Sequence, residues 1–187
     1  MAGLFYIRGQ VMIGKPEELI AYAAGFGVVI GADEAPILLN KATFYLNTLE
    51  WAGSLPPGAD DSWPRTGLVY DGSVFYDANG EAITTVTDAE GEEVAIEPGD
   101  VVTEPATAKA IITAAYQLAM QVANGVDLLP TTSGAQVVQE SVSGAVSVTY
   151  AEGTIGTPLD LPWLSSLIGR WSGASATNGI NFSVMRG

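Results

Sequence analysis

The stretch TEPATAKAIITAAYQLAMQVANG, residues 103–125, decides the fold. Ala108, Ile111, Ile112, Ala115, Leu118, Ala119 and Val122 recur at three- and four-residue intervals, which puts them on one face of a helix. Thr103 and Glu104 before Pro105 predict its start, and Asn124-Gly125 predicts its end. With small alanines at the buried positions, a second helix can approach closely, in a tight core or at a subunit contact.

Working outward toward the N-terminus, Pro16 followed by Glu17 and Glu18 predicts a short helix through Leu19, Ile20, Ala23 and Ala24, closed by Gly25 and Gly27. Asp33 is placed to cap a second helix whose apolar positions Ile37, Leu38, Ala42, Tyr45, Leu46 and Leu49 run toward Gly53. Residues 55–72 are rich in Pro, Gly and Asp and predict an irregular loop, which carries Trp63-Pro64-Arg65-Thr66-Gly67 and is expected to pack down on the domain. A β-rich insertion over residues 71–102 reads as two hairpins: Val74-Phe75-Tyr76 turning at Asp77-Ala78-Asn79-Gly80 into residues 82–87, then Asp88-Ala89-Glu90-Gly91 into residues 93–96.

Beyond the central helix, residues 136–142 and 145–150 alternate about Ser143-Gly144 and predict a hairpin. A last short helix over residues 161–168 follows, with Trp163, Leu164, Leu167 and Trp171 as apolar anchors. The expected class is α+β and predominantly helical. About four helices would form a compact bundle with a β-hairpin and the inserted β-rich region, in one domain over residues 1–171. Residues 172–187 read as an extended C-terminal arm. There Ile180, Phe182 and Val184 would line one side of a strand, with Asn181 and Ser183 on the other and Met185 and Arg186 after them. That alternation suits a segment that adds to a partner's sheet edge.

Composition narrows the chemistry. The chain has no cysteine and no histidine, which excludes disulfides, thiolate or imidazole metal ligands, and Cys- or His-based catalytic dyads. Lys15, Lys41 and Lys109 are the only lysine amines, and none stands in a catalytic motif. Asp60-Asp61 and the run Asp88, Glu90, Glu92, Glu93 lack the spacing of a calcium loop and read as solvated turn carboxylates. Seven basic residues against 21 acidic ones give a net charge of −14. Such a surface repels phosphate, so sequence-specific nucleic-acid binding is not expected. Trp51, Trp63, Trp163 and Trp171 accordingly read as core or interface anchors rather than base-stacking platforms. The uncharged stretch over residues 19–32 is too short and too glycine-rich to span a bilayer, and residues 1–8 show neither a basic leader before their apolar residues nor a small-residue cleavage pattern after them, so export is not expected.

Taken in order, residues 42–49 with Trp51, then Trp63-Pro64-Arg65-Thr66-Gly67, then residues 108–123, then Glu140-Ser141-Val142-Ser143-Gly144 with Val148-Thr149-Tyr150, resemble the head-tail adaptor, or connector, family of tailed bacteriophages. The resemblance covers most of residues 22–168. It departs from the family in two places: the insertion is larger than the short turn usual there, and the Gly- and Ser-rich tail matches no family motif.

The resemblance implies a structural virion protein without catalysis or cofactor. About twelve copies would form a ring on the portal protein, receive the next neck or tail protein, and surround a channel through which DNA only passes. Its setting would be the virion neck, with the host cytoplasm during assembly, and no membrane. In this family the C-terminal arm commonly reaches the portal, which would make residues Ile180 to Arg186 the docking segment. Trp51, Trp63, Pro64, Arg65, Gly67 and Tyr150 would be structural motif positions. The alternatives are a single-stranded nucleic-acid binding protein, or another neck component such as a stopper or tail-completion protein.

Overall fold

The computed structural model describes residues 12–128 and 161–173, together with the backbone of residues 137–142 and 146–150. Pro16 begins α1 (Pro16–Gly25) with Glu17 and Glu18 in its first turn, where carboxylates favour the positive end of the helix dipole. Leu19 and Ala23 turn inward. The chain then reverses through Gly27, whose φ of 74° a side chain would oppose, and the Val28 N–H bonds back to Ala23 O.

The second helix, α2 (Ala35–Asn47), differs from its prediction at both ends. Asp33 lies in a turn before the helix, and the residue at the cap is Glu34, already in helical geometry and without a side-chain cap bond. The helix stops at Asn47, short of Gly53: the Thr48 and Leu49 N–H groups bond three residues back, to Tyr45 O and Leu46 O, in a tightened last turn, and the Asn47 side chain is held by the following loop, as described below. Ala35, Leu38, Leu39, Ala42, Thr43 and Leu46 are buried. Thr43 is the polar member of that face, and its Oγ1 accepts the Ile13 N–H at 3.0 Å. Ile37 shares the helical period but not the core. It is 57% exposed on the opposite side, as is Phe44 at 56%.

The insertion is not a pair of hairpins. Its strands are β1 (Leu68–Val69), β2 (Phe75–Tyr76), β3 (Thr85–Thr87), β4 (Glu93–Ala95), β5 (Val101–Val102) and β6 (Thr107–Ala108). The loop expected to be irregular contributes β1, which pairs antiparallel with β5 through Leu68↔Val102 and Val69↔Val101. Strand β2 takes β6 as its partner, with Phe75↔Ala108 and Tyr76↔Thr107, and keeps only the single bridge Tyr76↔Ala82 toward the expected hairpin. The second hairpin forms as predicted: β3 and β4 pair around a turn in which Asp88 Oδ1 accepts the N–H groups of Glu90 and Glu92.

These pairings also move the start of the central helix. Ala106 is bridged to Arg65 and Ala108 to Phe75, so residues 105–108 stay extended and α3 (Lys109–Ala123) begins at Lys109 rather than beside Pro105. Its end at Asn124-Gly125 is as predicted. Ile111, Ala114, Ala115, Tyr116, Leu118 and Ala119 are buried, and α2 lies along them. Each large apolar side chain enclosed there contributes about 1.5–3 kcal/mol, and the alanines set the close spacing of the two helices. Tyr116 ties in the N-terminal segment: its hydroxyl accepts the Lys15 N–H at 3.0 Å and donates to Glu18 Oε2 at 2.9 Å.

Strands β7 (Val137–Val142) and β8 (Val146–Tyr150) pair antiparallel, as the alternation predicts, with a register irregularity between Val137 and Gln139. Pro162 starts α4 (Pro162–Ile168), which packs on α3 through buried Leu164 and Ile168 and continues into a 3₁₀ turn, Gly169–Trp171. Trp171 is buried beside Phe75, with ring centroids 6.3 Å apart. Trp163 and Leu167, also expected as anchors, are half-buried against the same core. The fold is thus α+β and mainly helical, with α1 to α4 packed together and small antiparallel strand pairs attached.

Candidate functional site

The motif residues Trp51, Trp63, Pro64, Arg65 and Gly67 come together where α2 ends. Trp51 is buried, and its Nε1 donates to Leu46 O at 3.0 Å, a carbonyl in the last turn of α2 that also accepts the Leu49 N–H at 3.1 Å. Trp63 lies 2% exposed with its ring edge-on to Trp51 at 5.2 Å and 76°. Such aromatic pairs contribute about 0.5–1.5 kcal/mol beyond the area they bury. The Trp63-Pro64 peptide bond is cis. Trp63 Nε1 is buried and, among the described residues, has no hydrogen-bond partner.

Arg65 is the hub of this unit. Its Nε donates to Ala52 O at 2.6 Å, Nη2 to Gly53 O at 3.0 Å and Trp51 O at 3.3 Å, and Nη1 to Ser62 O at 3.2 Å. Its backbone meanwhile exchanges both bonds with Ala106, just before β6. One residue therefore organises the chain after α2 and its own loop through its side chain, and the approach to α3 through its main chain. A planar guanidinium satisfies several divergent carbonyls at once, which a lysine ammonium cannot reproduce. Partial burial pulls its pKa below the ordinary arginine value.

Two glycines make the geometry attainable. Gly67 sits at φ 71° and hands its N–H to Val102 O at 2.8 Å. Gly53 sits at φ 76°, where an added Cβ would come within 2.6 Å of Thr66 O. Beside them, Ser54 and Thr66 exchange backbone bonds at 2.8 Å in each direction.

Asn47 and Asp61 belong to the same unit although their sequence context does not mark them. Asn47 Nδ2 donates to Asp61 Oδ1 at 3.0 Å, and its Oδ1 accepts the Ser62 N–H at 3.1 Å. Asp61 is accordingly buried, which corrects its reading as a solvated turn carboxylate; Asp60 is exposed. Glu90, Glu92 and Glu93 are exposed, and the Asp88 carboxylate is used by its own turn.

The C-terminal end of the described chain closes the unit from the other side. Ala52 N–H donates to Trp171 O at 2.7 Å and Gly173 N–H to Glu50 O at 3.1 Å, bridging Trp51 to Ser172. The fold thus takes in the first two residues read as the arm. Arg170 pairs with Asp71, whose carboxylate also accepts from Ser73. Burial alone would raise the Asp71 carboxyl, but the bonds from Ser73 and Arg170 outweigh it and hold the pKa below its ordinary value.

The backbone of Tyr150 pairs with Val137. Its side chain lies outside the described residues, as do Ile180, Asn181, Phe182, Ser183, Val184, Met185 and Arg186. Among the described residues, no helix is long and apolar enough to cross a membrane, and no group of three or more acidic side chains is placed to hold a metal ion. Comparison with protein families, with curated proteins and with solved structures finds no match.

Proposed function

We propose that the chain is a structural virion protein: a head-to-tail adaptor that forms a ring with its own copies, docks on the portal of a tailed bacteriophage and joins the capsid to the neck or tail around the DNA channel. The observation that supports this reading is the use made of Trp51 and the Trp63–Gly67 segment. The residues that carry the resemblance build a frame, with Arg65 consumed by four main-chain carbonyls. Such a frame suits a load-bearing subunit better than a site of chemistry. The net charge of −14 fits a channel whose wall must let DNA slide without sticking. A ring whose lumen proves neutral or basic would remove that support.

The portal-docking segment in this reading is the arm containing Ile180 to Arg186. Because Ser172 and Gly173 are paired with Glu50–Ala52, a clean truncation starts at residue 174. The test is cryo-EM of the purified chain mixed with the portal protein of its phage, with and without residues 174–187. Rings seated on the portal that vanish on truncation are the expected result. Seating that survives truncation moves docking to the folded domain, and no portal binding by the full chain refutes the adaptor reading in favour of another neck component.

A further inference from the structure

Cations are scarce on this chain, and most of those described are already engaged. Lys15 pairs with Glu18 at 3.2 Å, Arg170 pairs with Asp71, and Arg65 is taken up by carbonyls. Among the described residues Lys41 and Lys109 make no ion pair. Lys41 stands four residues after Ile37 and three before Phe44, so all three lie on one stripe on the outside of α2. A helix that is apolar on its inner face and again on its outer one is expected to be covered on both.

Strands β3 and β4 pose the converse problem. Both faces of this hairpin reach solvent, and a two-stranded hairpin without cover is marginal in water. Val86 and Val94 are cross-strand partners, so they share a face, and Val94 is 38% exposed. Glu92, at the turn-side end of β4 and two residues before Val94, is exposed and, like Glu93, makes no ion pair among the described residues. One surface offers apolar side chains around a cation, and the other offers apolar side chains beside carboxylates.

We propose that the outer face of α2 in one copy docks on the β3–β4 hairpin of the next, with Ile37 and Phe44 against Val86 and Val94 and Lys41 against Glu92. The occupant is a second copy because both halves of the match stand on one chain. Between copies that carry −14 each, an unpaired cation facing an unpaired carboxylate offsets part of the mutual repulsion and selects this pairing over others. The contact joins two different surfaces, so each added copy leaves one of each open and the series ends when a ring closes. It deepens the adaptor reading by naming the contact between ring subunits.

The absence of native cysteine makes the contact directly testable. The full chain carrying Phe44→Cys and Val94→Cys together is oxidised, alone and after mixing with portal, and run without reductant. A ladder of oligomers from the double variant, with neither single variant forming one, is the expected result. Adding Lys41→Glu should cut the ladder about tenfold, and Glu92→Lys should restore it. Disulfide-linked dimers from Phe44→Cys alone would show α2 meeting α2 and overturn the proposal, as would no ladder in either condition. Portal seating measured on the same samples separates the two readings. A ladder without portal binding keeps this contact and sinks the adaptor function, whereas portal binding without a ladder does the reverse.

Discussion

Replacing Arg65 by methionine keeps the stem of the side chain and deletes all five donors. Two of its four bonds are at 3.0 Å or shorter, to Ala52 and Gly53, and the others, to Ser62 and Trp51, are longer and weaker. Charge-assisted bonds are worth about 1.5–3 kcal/mol each. Water reaches the Gly53 carbonyl and replaces part of that loss, and the freed chain regains about 1–2 kcal/mol of rotamer entropy. A net destabilisation of about 3 kcal/mol is expected, or a fall in Tm of about 6–12 °C for a chain of this size. Urea unfolding followed by tryptophan fluorescence measures it well, because Trp51 and Trp63 flank the lost bonds. The midpoint should fall with the slope unchanged. Arg65→Lys, which keeps the charge but not the fork, should recover less than half of the loss. If Arg65→Met stays within about 1 kcal/mol of the parent, or Arg65→Lys matches the parent, the carbonyls are satisfied without the guanidinium and the account of this hub fails.

Three further outcomes follow from the same structure. Gly53→Ala places a Cβ against Thr66 O at a φ of 76° and should cost at least about 2 kcal/mol by the same unfolding assay. Tyr116→Phe leaves the Lys15 N–H without its acceptor and removes the hydroxyl donor to Glu18 Oε2, while the Lys15–Glu18 ion pair stays, for a loss of about 1–2 kcal/mol, with amide exchange fastest around residues 12–15. Asp71 has a depressed pKa in the folded chain, so its stabilisation is present above its ordinary value of 3.8 and is lost as pH falls through the folded value. Asp71→Asn should therefore be less stable than the parent near neutrality, and the gap should narrow below about pH 4 in acid titrations followed by circular dichroism.

What could be read from the sequence was what neighbouring residues decide. Pro16 with two glutamates fixed where α1 starts, Asn124-Gly125 fixed where α3 stops, and the Asp88 turn announced β3 and β4. What was illegible was decided across the chain. Ala106 and Ala108 are good helix formers, held extended only because Arg65 and Phe75 pair with them from 41 and 33 residues away. Strands of two residues such as β1 and β5 carry no period to detect. Ile37 matched the helical spacing of α2, yet Leu39 took the core position, because spacing does not say which side a neighbouring helix will cover. In the motif, Arg65 was visible as a cation in a rigid turn, but its four acceptors are main-chain atoms that any sequence supplies. Asn47 and Asp61 lie 14 residues apart, and no local pattern joins them.

The pairing of Ser172 and Gly173 with Glu50–Ala52 also has a mechanical meaning. Tension on the chain beyond Gly173 meets those two backbone bonds before it reaches α4. The segment on their far side is the one the Arg65 side chain grips, and the Arg65 main chain is bonded onward to Ala106, just before β6 and α3. A pull from the C-terminal side is therefore carried into the centre of the molecule instead of unwinding its last helix.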